Sequence, residues 1–278
     1  MFNLFLYELR KRRNAIIGWG IGMGLYILYI LVLYPTIGDA YSGLIENLGD
    51  NPLFQMFGDF QSMSSFSGFF SLYVADYLPL ILAIYAIING TAALAGEEEA
   101  GTLELILSQP LARWQIVLAK AVAMMVAMLL ILLVTAVMTI ITFIAMEEQL
   151  GSTGVTLGDI TVLILYAWPV VMVFMMMALF LGAFLPHRRL AATGVTLFLI
   201  IAFFGDNLAG LSDTLARLQP LFPFSYYDGS QLLEEGVPLD DLLLLLGANL
   251  ALLLLALISF QRRNVTVGAW PWQRARIP

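Results

Sequence analysis

Long apolar runs alternate along this chain with short polar breaks, and the runs are too long for the strands or core helices of a soluble domain. Asn14–Tyr34 carries no charge over 21 residues, enough for about 30 Å of helix at about 1.5 Å per residue. Further runs predict an all-α integral membrane fold with spans at about 14–34, 72–95, 116–146, 160–185, 190–209 and 242–260. All six belong to a single transmembrane domain over 1–278. The breaks at 35–71, 147–159 and 210–241 are acidic and read as external loops. Within the last, Pro220 and Pro223 interrupt an aromatic stretch, which predicts short re-entrant helices before the sixth span.

Two polar segments carry helical periodicity of their own. Met1–Arg13 places Phe2, Phe5, Leu6 and Leu9 at helical spacing ahead of Arg10–Arg13, an amphipathic interfacial helix leading into the first span. The charged island Gly96–Lys120 lies between the second and third spans. Drawn as one helix over 97–109, it sets Glu97, Gly101, Glu104 and Ser108 on one face and Leu103, Ile106 and Leu107 on another. Pro110 cannot continue that helix, so the chain turns near Gln109 and restarts around Trp114. Arg113 and Lys120 then flank the third span, with stems along lipid and charges in the headgroups.

Composition agrees: 60% of residues are hydrophobic, 12% are charged, and mean hydropathy is +0.88. No cysteine is present, which removes disulfides and thiolate metal sites. Charge fixes the orientation. With both termini inside, twelve of thirteen Lys and Arg fall on the cytoplasmic side, giving +7 within and −14 outside. The expected location is the plasma or inner membrane of a prokaryote. No G-x-x-x-x-G-K-[ST] occurs, so the chain has no P-loop for ATP, and its lone His187 excludes H-E-x-x-H zinc chemistry.

The island resembles the cytoplasmic loop of ABC-2 type transporter permeases, in which an acidic cluster is followed by Gly-Thr-Leu-Glu, a Leu-rich turn, Ser-x-Pro, Arg and Lys. The matching positions are Glu97, Glu98, Glu99, Gly101, Thr102, Leu103, Glu104, Leu107, Ser108, Pro110, Arg113 and Lys120. Asn51–Gly58 resembles the first external loop of that group, and Pro223-Phe224-Ser225-Tyr226 its segment before the last span. The resemblance implies an ATP-driven exporter built as a dimer of such subunits, like or unlike. ATP and Mg would sit on separately encoded ATPase subunits, with no cofactor in this chain. Glu97, Glu98, Glu99, Gly101, Thr102, Glu104, Ser108, Pro110 and Arg113 become the expected ATPase-coupling residues. Lipid is the other partner, nucleic acid is not one, and the wall of Leu, Ile, Met and Phe suits an apolar or amphipathic cargo.

Asp76 and Asp206, at the ends of predicted spans, are candidates for a gate or substrate contact together with Pro220, Pro223, Phe224 and Tyr226. Two other classes would use acids differently. An intramembrane aspartyl protease would need Asp76 and Asp206 to meet, although the first glycine of Gly-x-Gly-Asp is missing before Asp206. A secondary transporter would need an ionisable relay near the bilayer midplane.

Overall fold

A computed structural model describes residues 1–48, 65–108, 110–150, 153–211 and 213–262. Among them every regular element is helical. An amphipathic α1 (Phe2–Lys11) precedes α2 (Arg13–Leu48), and α3 (Phe66–Glu99) returns across the bundle. The short α4 (Leu103–Leu107) leads into α5 (Arg113–Ala145), followed by the one-turn α6 (Glu147–Leu150). Next come α7 (Leu157–Phe184) and α8 (Arg188–Asn207), then the short α9 (Asp213–Leu218) and α10 (Gly229–Glu234), and finally α11 (Leu239–Arg262). Helices α2, α3, α5, α7, α8 and α11 are long and apolar enough to cross a membrane.

Packing is ordered around α7. Its apolar membrane-spanning stretch is 78% buried, against 22% for that of α11 and 33% for that of α8, which makes it the central post and those two the periphery. Small residues let backbones approach it. A Cβ on Gly90 of α3 would lie 2.6 Å from Ala178 Cβ and 2.7 Å from the Met175 carbonyl, so nothing larger fits that crossing. Polar ties supplement the contacts, because a polar group facing hydrocarbon needs an internal partner. Asn249, on the leucine-rich α11, donates to the Pro169 carbonyl at 2.9 Å, and Trp168 donates to the Met125 carbonyl at 3.0 Å.

The glycines of α2 divide between two faces. A Cβ on Gly20 or Gly24 would strike Val134 or Met138 of α5 at 2.7 and 2.5 Å, whereas Gly18 and Gly22 face open space. Among the described residues only one of the two small-residue stripes is packed against another helix.

Several boundaries differ from those drawn on the sequence. Pro35 does not end the first helix, which continues to Leu48. A proline removes one N–H and so one helical hydrogen bond, a loss the helix absorbs here without ending. The stretch 35–71 is therefore helical at both ends; Asn51–Gly58 lies outside the described residues. The second span starts at Phe66, where Ser65 Oγ accepts the Gly68 N–H at 3.1 Å and caps it. The loop after α5 contains α6, and α7 opens on a capping box in which Thr156 and Asp159 satisfy each other's backbone N–H groups.

Candidate functional site

Two polar constructions occupy opposite ends of the bundle. The first surrounds the charged island. Its leading residues extend α3 through a π-helical stretch, Ala92–Gly96, into Glu97–Glu99. The single helix drawn over 97–109 is broken there: Gly101 takes φ +71°, a left-handed conformation favouring glycine, and α4 begins afresh at Leu103. Thr102 Oγ1 donates to the Glu97 carbonyl at 3.2 Å and closes the turn. The common face proposed for Glu97, Gly101, Glu104 and Ser108 is lost with the break. The elbow at Pro110 does lead into a new helix, α5, at Arg113, with Gln115 Oε1 accepting the Ala112 N–H at 3.0 Å.

The break sorts the glutamates. Glu97 and Glu98 point inward, Glu98 being buried, while Glu99 and Glu104 are exposed. Glu99 Oε1 accepts the Arg188 backbone N–H at 2.8 Å and so caps α8. Glu104 is followed by Leu105, 70% exposed, and both lie outside the bundle. Thr102, Ser108 and Pro110 are exposed and Arg113 half-exposed.

Lys120 does not reach for headgroups. It is fully buried, with Nζ 2.6 Å from Glu8 Oε1 and 2.7 Å from Glu97 Oε2. Glu8, also fully buried, accepts a second charged hydrogen bond from Arg12, and Lys11 lies 3.6 Å from Glu97. Burial alone would raise the Glu8 pKa, but the charges and hydrogen bonds of Lys120, and then of Arg12, outweigh it and hold the carboxyl below the ordinary glutamate value. One buried ammonium thus ties the interfacial helix α1, the foot of α5 and the start of the charged island. Helical spacing within either segment could not pair Glu8 with Lys120, because the two are 112 positions apart.

The second construction is a cavity of about 330 Å³ at the other end. It is lined by Asp76 and Ser71 of α3, Asp206 of α8, and Gln219, Phe224 and Asp228 of the segment before α11. Because α3 starts at Phe66, Asp76 lies about 15 Å along the helix from its beginning rather than at its rim. A Cβ on Gly229 would come within 2.4 Å of Ser71 Oγ and Ala75 Cβ, so glycine is what lets α10 seat on α3. Tyr227 is buried and donates to the Leu163 carbonyl at 2.8 Å; desolvation pushes its phenol well above the usual range.

The three acids are engaged differently. Asp228 caps α10, accepting N–H bonds from Ser230 at 2.8 Å and Gln231 at 3.1 Å. Asp206 accepts from Gln219 Nε2 at 3.1 Å. No hydrogen bond or ion pair engages the Asp76 side chain among the described residues. Of the expected gate residues, Asp76, Asp206 and Phe224 meet in this cavity. Pro223 is buried behind it, while Pro220 is exposed and takes the Tyr226 hydroxyl on its carbonyl at 2.6 Å. The two aspartates share no hydrogen bond with each other among the described residues.

Six helices long and apolar enough to cross a membrane, with a charged, broken-helix segment at one end, define a multi-pass membrane protein. The chain matches the model of the family described as ABC-2 family transporter protein over residues 2–265, and it belongs to that family. A search of curated proteins returned no match.

Proposed function

We propose that the chain is the membrane subunit of an ATP-driven exporter, energised by separate ATPase subunits that hold ATP and Mg, and paired with a second permease subunit, the same or different. The observation that supports this most directly is the family match over nearly the whole chain, joined to an island whose α4 projects Glu104 and Leu105 from the basic end of the bundle. By the positive-inside rule that end is cytoplasmic, with both termini there.

In this reading α4 docks on the ATPase through Glu104, which meets basic residues, and through the apolar Leu105. Nucleotide-driven closure then pushes on a segment whose first residue, Glu97, is locked through Lys120 to α5 and α1. The push is shared by three elements instead of being absorbed in a loose loop. At the acidic end the Asp76–Asp206 cavity lies on the path by which an apolar or amphipathic cargo leaves. The open Gly18–Gly22 face of α2 and the thinly covered α11 are surfaces for lipid or the second subunit.

Purification of the tagged chain from its native membrane in mild detergent tests the assignment. A P-loop ATPase is expected to co-purify and to hydrolyse ATP. Glu104→Arg and Leu105→Asp, both on the outer face of α4, are expected to release it while the permease stays folded. Co-purification undiminished by both substitutions would refute docking through α4.

A further inference from the structure

A groove between α3 and α8 opens beside the charged island at the basic end. It has a volume of about 410 Å³, with walls of Ile84, Ile87 and Ile88 from α3 and Ala192, Thr196 and Leu199 from α8. Arg188 and Arg189 line its mouth. The walls are apolar and open to the side, with Ile84 and Ile88 about half exposed. At the mouth, two guanidinium groups face one carboxylate, Glu99.

The two arginines have different tasks. Arg188 lies back along α3, its Nη2 donating to the Ile88 carbonyl at 3.3 Å, and its stem passes where a Cβ on Gly96 would be, 3.3 Å from Arg188 Cδ. Glu99 is occupied by the Arg188 backbone N–H. Arg189 is exposed, and no hydrogen bond or ion pair engages it among the described residues. The mouth therefore keeps a net positive charge with donors to spare, directly above a hydrocarbon-lined slot.

We propose that this groove holds an anionic phospholipid, its phosphate on Arg189 and Arg188 and an acyl chain along Ile84, Ile88 and Thr196. Charge complementarity selects the headgroup. Basic pockets between membrane helices attract anionic lipid in this way, and guanidinium matches a phosphate's paired oxygens. The apolar walls select a lipid over a soluble phosphate, since an empty slot at that depth would otherwise be filled by bulk acyl chains without headgroup preference. The assignment does not depend on the exporter reading, and its test needs no ATPase.

The experiment is native mass spectrometry of the purified full chain exchanged into micelles containing equal phosphatidylglycerol and phosphatidylcholine. The wild-type chain is expected to retain the anionic lipid, with about a fivefold preference for each arginine that meets the phosphate. Arg189→Gln, at an exposed position, is expected to remove about fivefold of it. Thr196→Trp, which fills the slot from an exposed position, is expected to displace the lipid with both arginines intact. Equal retention of the two lipids by the wild-type chain overturns the proposal. So does a preference unchanged in both variants, and so does glycerol phosphate competing as well as phosphatidylglycerol, which would make the ligand a soluble phosphate.

Discussion

Lys120 is the residue on which the basic end turns. Its charge is offset by two carboxylates from different elements, and removing one member of such a buried set leaves the others uncompensated, at a cost of about 3–5 kcal/mol. Lys120→Met is expected to lower thermal stability by that order and to expose α1 to proteolysis before the spans. Acid acts on the same contact with a defined sign. Because Glu8 has a depressed pKa in the folded chain, its contribution is complete above the ordinary glutamate value and is lost as pH falls through the folded one. Protection of α1 from protease should therefore persist at neutral pH and fail on acidification, and Glu8→Gln should remove the pH dependence. The charges of this cluster were readable one by one in the sequence. Their pairing was not, since helical spacing along Met1–Arg13 says nothing of a lysine in the third span.

At the scale of elements, hydrophobic runs located the spans because a bilayer demands some twenty apolar residues whatever the tertiary packing. Periodicity failed where backbone conformation, not side-chain pattern, decides. Glu97–Gln109 scans as one amphipathic helix, yet Gly101 at φ +71° divides it. Gly101→Ala is expected to cost about 1–2 kcal/mol in that turn. Read as ATP hydrolysed per cargo moved, it should loosen coupling with little effect on the melting of the spans. Polar ties inside leucine-rich helices were equally hidden: Asn249 looks incidental in the sequence but bonds α11 to α7. Asn249→Leu is expected to weaken that contact by roughly 0.6–1.7 kcal/mol, visible as a lower detergent melting temperature.

For the whole molecule, the chain divides into a basic end built on ion pairs and an acidic end built around a cavity, joined by a core in which α7 touches most other spans. The sequence marked Asp76 and Asp206 as separate span ends; the folding of the segment before α11 over α3 and α8 brings them to one cavity with Asp228. If cargo leaves there, Asp76→Asn should change transport while leaving ATPase co-purification intact. The most direct measurement uses the absence of cysteine in the chain, which allows a single reactive thiol to be placed at will. Glu104→Cys at the basic end and Glu234→Cys at the acidic end are each cross-linked in native membranes, and the captured protein is sequenced. Capture of a P-loop ATPase from position 104 and not from position 234 is the expected result; capture from 234 alone would contradict both the orientation and the docking of α4.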